Sequence, residues 1–207
     1  MVLFINERAT TMKRLVLMLF AVSVAVSTAF AQVNWGVDKS HSQMLFSVRH
    51  MVITEVTGSF KEWEMKVTSS KDDWADATVE ATAKTATVNT ENERRDGHLK
   101  SDDFFNAEKF PEMKFVSTAF EKVGENKYKI KGNLTIRDIT KEVVFDAEIL
   151  GTINDSRMGT RVGWKATTEV NRFEFGLKWN RAIEAGGLVA GETVKIIINL
   201  ELIKPTT

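Results

Sequence analysis

Thr193-Val194-Lys195-Ile196-Ile197-Ile198-Asn199-Leu200-Glu201-Leu202 puts Val194, Ile196, Ile198, Leu200 and Leu202 on one side of an extended chain and Lys195, Asn199 and Glu201 on the other. Side chains alternate across a strand, so this is an antiparallel strand with one buried face. The same period recurs upstream. Val143, Phe145, Ala147 and Ile149 alternate with Asp146 and Glu148, and Tyr128, Ile130, Leu134 and Ile136 alternate with Lys129, Lys131, Asn133 and Thr135. Met44-Phe46-Val48, Ala77-Val79-Ala81-Ala83 and Val162-Trp164-Ala166 continue it, and shorter candidates lie around Gly58 to Val67 and Met113 to Phe120. Turns are expected at Gly124-Glu125-Asn126 and within Gly151 to Asp155. No repeat or Pro/Gly-rich linker divides residues 32–207. The reading is all-β: a single antiparallel up-and-down β-barrel of about eight strands, whose closure removes exposed sheet edges. A two-sheet sandwich is the alternative architecture.

The 207 residues are 43% hydrophobic and 27% charged, an ordinary globular composition. Basic and acidic residues number 28 each, leaving no overall positive field for a nucleic acid backbone. Residues 1–31 differ from the rest. Met12-Lys13-Arg14 supplies a start and a basic region, Leu15 to Val26 is almost uninterruptedly apolar, and Ala29-Phe30-Ala31 ends it with small residues at the two recognition positions. This is the pattern of a secretory signal peptide cut between Ala31 and Gln32, with Met12 a candidate true start. The apolar run is shorter than the roughly 20 residues of a membrane span. Residues 32–207 then form the mature domain, with 25 basic and 27 acidic groups. The chain has no cysteine, hence neither a disulfide nor a thiol for lipid attachment, and the expectation is a periplasmic or secreted protein without a stable membrane anchor.

Residues 89–111 break the alternation. Thr90 followed by Glu93 has the spacing of a capping box and predicts a helix from Glu91. Ser101-Asp102-Asp103 could cap a second short helix before Phe110-Pro111 restores an extended chain. This helical insertion, near residues 90–106, concentrates Arg94, Arg95, Asp96, His98, Leu99, Phe104 and Phe105, as a plug or lid would.

An eight-stranded barrel is either filled by its own side chains or holds one small ligand. Small inward residues (Ala77, Ala81, Ala83, Gly132, Ala147, Ala166) stand among bulky ones (Phe46, Phe60, Phe115, Phe145, Trp164), and periodicity leaves both outcomes open. His50 continues the apolar face of Phe46 and Val48, either as a hydrogen-bonded core histidine or as a donor to a ligand. Asp38 and His41 flank a turn. A catalytic constellation is missing: there is no Cys nucleophile, Gly-x-Ser-x-Gly elbow, Walker loop or His-Glu-x-x-His helix. His41, His50 and His98 could bind zinc only if the fold converged them.

The ordered set Val37-Asp38-x-x-His41-Ser42, Phe46-x-Val48-x-His50, Gly58-x-Phe60, Arg95-Asp96-x-His98-Leu99, Asp103-Phe104-Phe105, Phe110-Pro111, Gly132-x-Leu134-Thr135-Ile136 and Asn171-Arg172-x-x-Phe175-Gly176 closely resembles the YceI-like family of exported lipid-binding proteins, over roughly residues 35 to 203. The resemblance implies a lipocalin-like barrel with a long apolar tunnel, carrying polyisoprenoids such as prenyl phosphates or isoprenoid quinones. Two positions depart from the family pattern: Asp138 where a glycine is frequent, and Glu174 where aspartate is usual.

The combined expectation is a non-enzymatic exported carrier, without cofactor or metal, that binds a long-chain isoprenoid or similar amphiphile. Its cavity wall would use Phe46, Val48, His50, Phe60, Val79, Ala81, Phe115, Phe145 and Trp164. Arg95, Asp96, His98 and Phe104 would form a mouth or lid, with Arg95 facing an anionic head group or else serving an internal network that holds the insertion. The alternatives are an accessory of quinone redox chemistry, with His50 or His98 as proton donor, and a protein-interaction module with a filled barrel. The sequence leaves open whether the protein forms a homodimer.

Overall fold

A computed structural model describes residues 32–184 and 186–205; the segment read as a signal peptide lies outside the described residues. Eleven strand segments form one antiparallel sheet that closes on itself. β1 (Asn34–Val37) and β2 (Gln43–His50) follow one path, broken at residues 38–42. β3 (Thr54–Phe60) and β4 (Trp63–Thr68) follow a second, and β5 (Thr78–Lys84) and β6 (Val88–Asn89) a third, broken by a 3-10 turn at Thr85–Thr87. β7 (Glu112–Gly124), β8 (Lys127–Ile136), β9 (Ile139–Asp155), β10 (Gly159–Asn171) and β11 (Ala190–Ile203) are the remaining five. Each path pairs with the next, and β11 returns to the first path, meeting β1 at Leu202–Val37 and β2 from Val194–Val48 to Asn199–Gln43. The eight paths make an up-and-down barrel, which decides between the barrel and the sandwich.

The alternation read from the sequence maps onto the barrel wall. Along β8, Tyr128, Ile130, Leu134 and Ile136 are buried inside, while Lys129 and Lys131 pair outside with Asp146 and Glu121. Two glycines make room for rings. A Cβ on Gly132 would lie 2.5 Å from the Phe115 ring and 2.5 Å from the Val116 carbonyl oxygen, and one on Gly58 would lie 2.3 Å from the Phe46 ring. Among the described residues no helix is long and apolar enough to cross a membrane.

Three local expectations are corrected. The helix, α1, spans Glu93–Lys100 and its N-cap is Asn92, whose side chain accepts the Arg95 backbone N–H. Glu91 sits at φ +58°, outside helical space, and the Thr90 hydroxyl is taken by Asp96 and Arg95 instead of capping. Ser101 ends this helix, and residues 101–105 run as turns where a second helix was expected. The turn expected within Gly151 to Asp155 falls later: β9 continues to Asp155, and the Asp155 carboxylate accepts the N–H groups of Arg157 and Met158 to turn the chain. Gly151 is extended and pairs with Gly163, beside a register shift opposite Leu150. The Glu125-Asn126 turn forms as read, with Asn126 at φ +56°.

Chain reversals alternate between the two barrel ends. One end carries residues 69–77 and the turns at 125–126 and 156–158. The other carries residues 51–53, the insertion with α1, the Arg137-Asp138 turn and residues 172–184 and 186–189.

Candidate functional site: an apolar tunnel stopped by tryptophans

The barrel encloses a cavity of about 360 Å³ with an almost wholly apolar wall. This settles the question that periodicity left open, because the alanines of β5 do not meet large partners across a filled core. Ala81 and Ala83 lie in the wall beside Phe115 and Met113 of β7, their register partners. Phe46, Val48, His50, Phe60, Val79, Ala81, Phe115, Phe145 and Trp164 all line the cavity. So do Arg95, His98 and Phe104, whereas Asp96 does not.

Aromatic rings divide the tunnel into levels. Phe46 packs on Phe60 at 5.8 Å, and Phe60 on Phe105 at 5.6 Å, under the insertion. Phe115 and Phe145 meet edge to face at 5.2 Å farther down. At the far end Trp74 sits 4.8 Å from Trp35 and 5.1 Å from Trp164, and Trp164 sits 5.0 Å from Tyr128. Trp74 is the stopper. It comes from the 69–77 loop rather than from a strand, is 4% exposed, and has φ +59°. Asp76 holds the loop that delivers it, accepting from the Ser69 and Ser70 hydroxyls and from the backbone N–H groups of Ser70 and Lys71. Burial works against its charge, but the Ser70 hydroxyl and the other donors outweigh it and hold the carboxyl well below the usual range. Trp74 escaped the sequence reading because a residue in a polar loop carries no period.

The opposite end is covered by a network. Arg95 donates from Nε to the Thr90 hydroxyl (2.7 Å) and from Nη2 to the Thr90 carbonyl (2.8 Å), and Asp96 accepts the Thr90 N–H (2.8 Å) and hydroxyl (2.5 Å). His98 is hydrogen-bonded to Asp103 at 2.8 Å and sets its ring edge-on to Phe104 and Trp179. Arg137, at φ +57° in the β8–β9 turn, donates to the carbonyls of Asp102, Phe104 and Gly176 and to the Asp102 carboxylate. These contacts are the internal network that was one of the two readings of Arg95 and Asp96, and they tie the insertion to the barrel. Arg95 keeps its place in the cavity lining as well.

Arg172 is the polar residue that periodicity missed. It is 4% exposed, lines the cavity, and donates to the carbonyls of Leu177, Trp179, Ala190 and Gly191 at 2.6 to 3.0 Å, fastening residues 172–179 to the start of β11. Burial lowers its pKa from the usual arginine range, against the opposing charge of Glu192. The only sequence signal was its place in the Asn171-Arg172-x-x-Phe175-Gly176 motif. Glu174, one of the two departures, lies outside the lining and pairs with Lys141 at 3.1 Å.

The three histidines do not converge. Among the described residues one trio of His and carboxylate side chains brings its ligand atoms together, Asp38, His41 and Glu201, and Arg161 already occupies its two carboxylates at 3.0 and 2.5 Å. The hydrogen bond from His41, helped by Arg161 and the Ser40 N–H, holds the Asp38 carboxyl down to about 2 against the effect of burial.

Residues 35–202 match the family model described as the YceI-like domain. A UPF0312 protein of Staphylococcus aureus strain USA300 is 36% identical over 169 residues, 81% of this chain and 96% of that protein. Among solved structures, a YCEI protein of Campylobacter jejuni is 31% identical, with a TM-score of 0.65 over 77% of this chain and 90% of that one. BcnA of Burkholderia cenocepacia has a TM-score of 0.70 at 20% identity, covering 80% and 99% of the two chains. A polyisoprenoid binding domain from Saccharophagus degradans has a TM-score of 0.58 at 15% identity, covering 84% and 99%. The last two likenesses show the fold alone.

Proposed function

The chain belongs to the YceI-like family, and from that premise we propose that it is an exported, non-enzymatic carrier that takes one long-chain isoprenoid lipid, or a similar amphiphile, into its barrel. The observation that carries the reading is the tunnel itself: a cavity of about 360 Å³ walled by apolar side chains, inside a barrel whose outer face is charged. A flexible apolar chain is the ligand such a wall favours, since each Å² of apolar surface removed from water contributes about 25 cal/mol. The Saccharophagus domain, which shares the fold, is described as polyisoprenoid-binding, and isoprenoids are the class proposed here. Support for export is the leader-like pattern of residues 1–31, and the proposal puts the carrier in the periplasm or the medium.

The test is to fill the tunnel. Ala81→Phe adds a ring where Ala81 lines the cavity beside Phe115. The expected result is a folded barrel that no longer takes up geranylgeraniol while the unaltered domain does. Equal uptake by both proteins would overturn the proposal.

A further inference from the structure

The tip between β2 and β3 is apolar and faces water. Met51, Val52 and Ile53 are 40%, 52% and 83% exposed, three consecutive large hydrophobic side chains where turn chemistry favours polar residues. Met51 and Val52 also sit at φ +50° and +66°, left-handed conformations that glycine adopts freely and a β-branched residue does not. Strain and exposed apolar surface both work against stability, so their coincidence at one turn points to a surface kept for contact. The tip is held in place. The Met51 N–H donates to the Val189 carbonyl (3.0 Å) and the Ile53 N–H to the His50 carbonyl (3.1 Å). A Cβ on Gly187 would lie 2.7 Å from Val52 Cγ2, so that glycine makes room for the valine.

The position of the tip gives its partner. His50 and Val56, on the strands that lead into and out of it, line the cavity, as do Val189 and Ala190, so the exposed apolar surface runs on from the tunnel wall at the covered end. On the segments that meet there, the exposed cations Arg49, Lys178 and Arg181 are balanced by the exposed carboxylates Glu55, Glu184 and Glu192. A charged partner finds no field to complement. A convex apolar tip suits the acyl boundary of a bilayer, the place from which a water-insoluble ligand has to be taken, and such binding scales with the apolar area buried. We propose that Met51-Val52-Ile53 is a membrane-docking tip, which inserts into the surface of a lipid bilayer and sets the covered end of the tunnel against the lipid from which the ligand comes. The inference goes beyond the carrier reading and rests on it for the purpose of docking, though not for the contact itself. Leu150 and Ile153 are exposed too, at 63% and 55%, but they stand on β9 at the end that Trp74 stops, and so provide the control.

Residues 32–207, a compact unit by themselves, are floated with phosphatidylcholine vesicles through a sucrose gradient. Transfer of geranylgeraniol from such vesicles is followed separately from uptake of geranylgeraniol added without them. The unaltered domain is expected to float, at low and at high salt alike. Ile53→Asp should lower vesicle partitioning about 10-fold or more, the effect of withdrawing one apolar side chain from lipid, and should slow transfer from vesicles. Uptake without vesicles should stay within about 2-fold, which also shows that the variant is folded, and Ile153→Asp should leave partitioning within about 2-fold. An unaltered domain that does not float, flotation that Ile53→Asp leaves intact, equal loss with Ile153→Asp, or flotation abolished by salt would each overturn the docking tip. Self-association in sedimentation velocity that Ile53→Asp removes, without flotation, would give the tip to a second copy instead. Flotation that depends on Ile53, with no uptake of geranylgeraniol by either route, would uphold the docking tip and overturn the carrier reading.

Discussion

Replacing Gly132 by alanine adds a single methyl group, yet the barrel has no room for it. The new Cβ would lie 2.5 Å from the Phe115 Cζ atom and 2.5 Å from the Val116 carbonyl oxygen. Relief requires each neighbour to retreat by close to 1 Å. The ring can turn, but the carbonyl belongs to the β7–β8 ladder, where Ser117 pairs with Gly132 beside a register shift. Overpacking of this kind costs about 1–3 kcal/mol, and the rigid backbone partner places Gly132→Ala near 2–3. For a domain of this size that is a fall in Tm of roughly 4–12 °C. Gly97→Ala is the opposite-sign control. It lies within α1 with nothing inside 4 Å of the added Cβ, so the variant should gain roughly 0.5–1 kcal/mol from helix propensity. Urea denaturation of both variants, read by tryptophan fluorescence and circular dichroism, gives the comparison. A Gly132→Ala midpoint equal to or above that of the unaltered domain would refute the argument that this glycine exists to seat Phe115.

Phe145→Ala removes the edge-to-face partner of Phe115 and should cost about 3 kcal/mol in a denaturation experiment while also weakening lipid uptake, because the same ring packs the wall and lines the cavity. Arg95→Ala removes both bonds to Thr90, so amide exchange across α1 should quicken, with affinity for an uncharged isoprenoid alcohol changed less than 3-fold. Asp76 titrates lower folded than unfolded, so its contribution is fully present above the ordinary carboxyl value near 3.8 and is lost as pH falls through its depressed folded value. Asp76→Ala should therefore lower stability at pH 7 by about 2 kcal/mol, expose the Trp74 fluorophore, and lessen the loss of stability that the unaltered domain shows on acidification below pH 4, all measurable in one fluorescence titration.

The barrel was legible because a wall with water on one side and apolar space on the other writes a period of two into each strand, as in Tyr128 to Ile136 and Val194 to Leu202. Errors fell where a local signal was outvoted. Gly151 reads as a turn, but the β9–β10 pairing holds it extended and the Asp155 carboxylate turns the chain four residues later. Thr90 reads as a cap, but Arg95 and Asp96 compete for its hydroxyl. The cavity wall was readable as an inward face, while its emptiness was not, since a list of alanines and phenylalanines does not say which of them meet. Trp74 and Arg172 were beyond periodicity altogether, one placed by a serine- and aspartate-built loop and the other by four backbone carbonyls.

Native mass spectrometry of the domain purified from its own envelope, followed by solvent extraction, tests the carrier reading most directly. The account predicts one long-chain isoprenoid or similar amphiphile per barrel, released on denaturation. A bare protein mass that persists after incubation with isoprenoid alcohols, quinones, prenyl phosphates and fatty amphiphiles would contradict it.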